Sequence, residues 1–162
     1  MWVRNFLLVP LVLGVLAVSF AASARQPATV DRVLVDKSDR RLYLMRGDEV
    51  WRSYAIGLGF APSGPKQRQG DGRTPEGDYV LDWRNPQSNY FLSIHISYPN
   101  GADQARARGL GASPGGDIFI HGELDPLRRK RDWTLGCIAV TNQAMMEIWT
   151  YVSDGTPITI QP

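Results

Sequence analysis

Cys137 and His121 are the two residues of this sequence whose chemistry fits a nucleophile and its base. A thiol attacks carbonyl carbon as the thiolate, and at neutral pH an unassisted thiol is mostly protonated. An imidazole within reach can take that proton and later return it. His121 closes the apolar segment Ile118-Phe119-Ile120-His121-Gly122. Cys137 lies in Asp132-Trp133-Thr134-Leu135-Gly136-Cys137-Ile138-Ala139-Val140. The Gly136-Cys137 turn lets backbone approach a reacting centre closely. Thr134, Gly136 and Gly122 are the candidate substrate-binding or oxyanion residues, through backbone N–H groups or the Thr134 hydroxyl.

The bland alternatives are specific. Cys137 is the only cysteine of the chain, so an internal disulfide is excluded. A lone thiol is otherwise a buried bystander, an intermolecular bridge or a reactive group. The second histidine, His95, lies on the polar side of the alternation Ser93-Ile94-His95-Ile96-Ser97 and is read as structural rather than catalytic. His95, His121 and Cys137 are zinc-ligating types, but no close ligand pair is present, so no metal is expected. Glu123 and Asp125 read as a solvated loop. Asp132 is expected to pin the Cys turn through its carboxylate. Trp133 is expected to pack.

These residues need strands to hold them. Val30–Val35 and Arg40–Met45 read as a hairpin around the Asp36-Lys37-Ser38-Asp39 turn, and Glu49–Leu58 as a third strand. Asp78–Trp83, Phe91–Ser97, Asp117–Ile120 and Ile158–Ile160 are further strands, and Ile138–Val140 is a short strand or turn. Gly57–Gly72, rich in Gly, Pro, Lys and Gln, is a loop of about 15 residues, long enough to suggest a functional role. Asp103–Arg108 suits one or two helical turns. The clear helix runs over Gln143–Tyr151, capped by Thr141 or Asn142. Its apolar face is Met145, Ile148, Trp149 and Val152. Gly155 and Pro157 end it. The expected fold class is mainly β, with one substantial helix after the Cys segment.

The start of the chain differs in kind. Arg4 precedes an apolar run from Phe6 to Ala22, and Ala22-Ser23-Ala24 fits a signal-peptidase site. Residues 1–24 are therefore expected to be a cleaved signal peptide and residues 25–162 one domain. The rival is a retained anchor, interrupted by Pro10 and Gly14 and, at about 17 residues, near the lower limit for a bilayer span. The whole chain carries a net charge of +2, which favours neither nucleic acid nor a charged membrane surface. Arg128-Arg129-Lys130-Arg131 is a local basic cluster, read either as a solvated loop or as a contact for an anionic partner.

His-Gly, a spacer and then Thr-x-Gly-Cys-Ile resembles the signature of the L,D-transpeptidase catalytic domain, the YkuD-type family. Arg73-Thr74-Pro75-Glu76-Gly77-Asp78-Tyr79 is similar to the family's entry into its next strand, and the opening hairpin is also similar. The likeness spans roughly Val30 to Ile160 and implies that family's β-sandwich or barrel. Leu135 stands where many members have His, and Ala139 where many have Arg. Asp-Trp-Thr-x-Gly-Cys-Ile-Ala, with Gly70-Asp71-Gly72-Arg73-Thr74-Pro75, looks more like a branch that includes hydrolases of the peptidoglycan–lipoprotein link.

The resemblance implies a cysteine enzyme of the periplasm or cell-wall space that needs no cofactor. It would attack diaminopimelate-containing peptidoglycan stem peptides through a Cys137 thioester, with His121 as proton acceptor and donor. An amine resolving the thioester gives transpeptidation. Water gives hydrolysis, with an outer-membrane lipoprotein attached to peptidoglycan as a further partner. The alternatives of another class are a non-catalytic peptidoglycan-binding envelope protein and a structural one bridged through Cys137.

Overall fold

A computed structural model describes residues 30–125 and 131–162. The expected signal segment and most of the basic cluster lie outside the described residues. Eight strands form one sheet: β1 Arg32–Asp36, β2 Arg41–Arg46, β3 Glu49–Ala55, β4 Gly77–Asn85, β5 Ser93–Ile96, β6 Phe119–His121, β7 Ile138–Ala139 and β8 Thr156–Gln161. The helices are α1 Gly101–Gly109 and α2 Asn142–Tyr151. The strand order is β3-β2-β1-β8-β4-β5-β6-β7, and the sheet curls into a half-barrel.

The hairpin forms because Val33 and Val35 alternate inward on β1, while Leu42 and Leu44 do so on β2. The Asp36 carboxylate accepts hydrogen bonds from the Ser38 hydroxyl and the Asp39 N–H, closing the turn locally. β8 runs parallel to β1 and antiparallel to β4, joining the N-terminal hairpin to the strands that carry the site. The core lies under this sheet: Leu81, Ile94, Ile96, Ile120, Ile138, Ile158 and Ile160 pack with Met145 and Ile148 of α2 and with its C-cap Val152. Of the expected α2 face, Trp149 is only half-buried; the Arg84 guanidinium covers its ring.

Two elements differ from the sequence expectation. β3 stops at Ala55, not Leu58, because the chain beyond it leaves β2 and bonds to the Cys segment. Gly57 exchanges both backbone hydrogen bonds with Ala139, and Phe60 N–H donates to the Thr134 carbonyl. The one or two helical turns expected at Asp103–Arg108 extend into a nine-residue helix, Gly101–Gly109. It lacks a strong apolar stripe, so periodicity does not reveal it. Polar contacts hold it instead: Asn100 and Asp103 form a reciprocal capping box, and buried Asp103 accepts from the Tyr79 hydroxyl and from Arg106.

The 57–76 loop is built rather than loose. Lys37 reaches into it and donates from Nζ to the Gly64 and Thr74 carbonyls and to Glu76 Oε1. The Asp71 carboxylate gathers the N–H groups of Gln67, Arg68 and Arg73 together with the Lys66 ammonium. Gln69 N–H donates to the Ser113 carbonyl, tying this loop to the Gly-rich stretch after α1.

Candidate active site

β6 and β7 are parallel neighbours, with Ile120 opposite Ile138 and His121 opposite Ala139. Both isoleucines are fully buried in the core. Side chains alternate along a strand, so Cys137 and His121, each one residue away from a core isoleucine, turn to the other face. There they line one cleft of about 250 Å³, with Asn85, Tyr90 and Ser93 among its other walls. Cys137 and Asp117 also line a second cavity of about 310 Å³, together with Lys66, Gln69 and Leu135. Cys137 therefore stands between two spaces, only one of which His121 lines.

His121 is 4% exposed. Its Nδ1 lies 2.7 Å from the Gly122 carbonyl oxygen. A carbonyl only accepts, so Nδ1 carries the hydrogen and Nε2 is left as the basic nitrogen. The imidazole is boxed by aromatic rings, with the Tyr90 centroid at 4.7 Å and the Trp133 centroid at 5.8 Å. Burial lowers the imidazole below its ordinary value of 6.5, against smaller upward pulls from the Gly122 carbonyl and Glu123.

The Cys137 sulfur lies 3.5 Å from the Asp117 carbonyl oxygen. Burial pushes the thiol above its ordinary 9.0. The Phe119 N–H and the Lys66 ammonium favour the thiolate, and the Asp117 carboxylate opposes it. The downward shift of the imidazole and the upward shift of the thiol both favour the neutral forms over a thiolate–imidazolium pair. Reaction with iodoacetamide is expected to climb with pH beyond 9, where the thiolate forms, with no reactive plateau at pH 5–7. A plateau there, followed by intact-mass spectrometry, would show a preformed ion pair instead.

The turn that presents Cys137 is fastened from several sides. The Thr134 hydroxyl donates to the Cys137 carbonyl at 2.7 Å and accepts from the Gly136 N–H at 3.1 Å. The Gly122 N–H is shared between the Tyr90 and Leu92 carbonyls. The N–H groups of Gly136 and Gly122 thus have acceptors within the protein, and Thr134 turns its hydroxyl onto the turn itself. Asp132 pins the segment, as its chemistry suggests, by accepting from the Leu58 N–H and from Arg40 through both Nε and Nη2.

The remaining sequence candidates sort readily. His95 is held by Asp82 at 2.7 Å and stacked on Trp83, and it does not line the cleft shared by Cys137 and His121. Glu123 exchanges hydrogen bonds with Asn142 at the start of α2. Trp133 packs on His121 and so is also a wall of the imidazole's surroundings. Sequence inspection missed Tyr90, Lys66, Asp71 and Asp117. Tyr90 sits in a polar turn without periodicity and carried no signal. Lys66 and Asp71 lay in the loop singled out for its length, where a buried charge could not be told from a solvated one.

Residues 30–160 match the model of the L,D-transpeptidase catalytic domain, YkuD. The chain belongs to that family, the one its His-Gly and Thr-x-Gly-Cys wording resembles. It is 38% identical over 117 residues to YafK of Escherichia coli (strain K12), a provisionally named L,D-transpeptidase, covering 69% of this chain and 42% of that protein. Among solved structures it is similar to the helical cell shape determining protein Pgp2 from Campylobacter jejuni. There the identity is 31% and the TM-score 0.60, over 80% of this chain and 46% of that one. Bd1075 of Bdellovibrio bacteriovorus is 27% identical with a TM-score of 0.58, over 82% of this chain and 48% of that one. The chain spans less than half the length of each of these relatives.

Proposed function

We propose that this chain is an exported cysteine L,D-transpeptidase acting on diaminopimelate-containing stem peptides of peptidoglycan. The observation that carries this is the placement of His121 on β6 and of Cys137 immediately before its parallel neighbour β7. They open into one cleft, and the imidazole tautomer leaves Nε2 basic. The family supports the substrate class.

Each step conserves atoms. Nε2 of His121 takes the thiol proton as Cys137 Sγ bonds to the carbonyl carbon of the diaminopimelate residue. The tetrahedral adduct collapses with loss of the C–N bond, and the imidazolium protonates the departing amine. An incoming amine then attacks the thioester and gives a proton to His121, which passes it to the departing Cys137 sulfur, leaving a new amide, a free thiol and a neutral imidazole. Burial, which disfavours both charged forms, favours proton movement during attack over transfer beforehand. Thr134, Gly136 and Gly122 act by holding the turn and the imidazole in place.

Incubation of the protein without its first 24 residues with sacculus digests, read by mass spectrometry, tests this. New amide-linked dimers and a transient protein adduct at Cys137 are expected. Loss of attached lipoprotein or of existing links without new ones would make the enzyme a hydrolase of the same acyl intermediate. Binding without turnover would make it a peptidoglycan-binding envelope protein.

A further inference from the structure

The second cavity that Cys137 lines, which His121 does not, contains a charge that the reaction above does not use. Lys66 lines it and is only 3% exposed. Its Nζ donates to Asp71 Oδ1 at 2.8 Å. An ammonium has three N–H donors, and among the described residues no acceptor other than Asp71 is bonded to this one. Asp71 is held by three backbone N–H groups as well as by Lys66, so its carboxylate is fixed in place on several sides. The pair therefore leaves a rigidly held cation with donors to spare, the one Lys or Arg among the described residues lining this cavity.

The position of His121 says which part of a substrate comes here. The general acid must stand beside the departing and incoming amines, so these occupy the cleft that His121 lines. The acyl portion, which stays on the sulfur, then extends into the other cavity, toward Lys66. We infer that Lys66 is a specificity-determining residue that binds a carboxylate on the retained acyl portion of the donor, the free side-chain carboxylate of the diaminopimelate residue. This rests on the proposed function. The ammonium's pull on the nearby Cys137 thiol supports its closeness to the reacting centre. A charge-assisted hydrogen bond in such a partly desolvated place discriminates strongly against a neutral amide.

Three donor peptides decide the matter: the free acid, the same peptide amidated at the diaminopimelate side chain, and one amidated at the leaving residue's carboxylate. For the wild type, side-chain amidation is expected to lower kcat/KM for thioester formation by roughly tenfold or more. Lys66→Met is expected to bring the ratio between those two donors close to one, and Lys66→Arg to keep part of it, since a guanidinium also pairs with carboxylate. The ratio is the readout, because a merely structural lysine would slow all donors alike. A wild-type ratio near one, a preference that follows the leaving residue's carboxylate, or a ratio unchanged in Lys66→Met would overturn the assignment. The wild-type comparison stands even if Lys66→Met does not fold. A wild type that forms no thioester with any donor overturns the proposed function itself, and this assignment with it.

Discussion

Cys137→Ala is expected to abolish the protein adduct and to lower turnover of stem peptides by roughly 10⁴-fold or more, as loss of a nucleophile does in enzymes that work through covalent intermediates. The fold should survive. Among the described residues the sulfur meets only backbone groups, the Asp117 carbonyl at 3.5 Å and the Phe119 N–H, and the thiol faces the two cavities, not the core beneath the sheet. The expected change in unfolding free energy is below about 1 kcal/mol, as for a substitution that leaves core packing alone. His121→Gln should cost nearly as much turnover, and the double variant little more than either single one, because the two residues act as a unit. Intact-mass spectrometry and release of the leaving residue measure all three. Full turnover by Cys137→Ala would place the nucleophile elsewhere.

Gly136→Ala is expected to disable the same site without touching a reacting atom. Gly136 has φ +136°, a conformation that L side chains rarely adopt, and an added Cβ would lie 2.7 Å from the Arg73 carbonyl oxygen and 3.1 Å from Ile118 Cδ1. The Arg73 backbone cannot retreat cheaply, because Asp71 holds its N–H. The chain must therefore shift at the residue before the nucleophile, and the Thr134 bonds to Gly136 and Cys137 shift with it. A stability loss of about 2 kcal/mol is expected from backbone strain and overpacking. Turnover should fall about 100-fold, the scale of a displacement near 1 Å at a reacting group. Gly47→Ala is the comparison: φ there is +57° as well, but nothing lies within 4 Å of the added Cβ. It should cost stability alone. Chemical denaturation and adduct formation, measured on both variants, separate the two effects. A Gly136→Ala protein with wild-type turnover would show that the turn is not a constraint on Cys137.

The same local rules explain which parts could be read from the chain. The β1–β2 hairpin, the strands that deliver Ser93 and His121, and α2 all have their signal within a few residues: alternation of core and solvent positions, an Asp-rich turn, a Thr141 cap and a Gly155 stop. α1 was legible only as a turn or two, because its stability comes from Asn100, Asp103 and Tyr79 and not from an apolar stripe. The termination of β3 was invisible, because the competing partners, Thr134 and Ala139, lie some eighty residues away in sequence.

By itself the sequence determined the chemistry available: one thiol, a histidine at a strand end, a glycine before the thiol, and the wording that places the chain in its family. Tertiary structure alone decided how that chemistry is arranged. The parallel pairing of β6 with β7 brings Cys137 and His121 to one cleft. Burial then shifts both groups toward their neutral forms, and the N–H groups of Gly122 and Gly136 hydrogen-bond within the protein. It also set Lys66 in a cavity that Cys137 also lines. The physical reason is that residue type and local pattern travel with the chain, whereas burial, register and the partner of each N–H depend on which distant segments pack together.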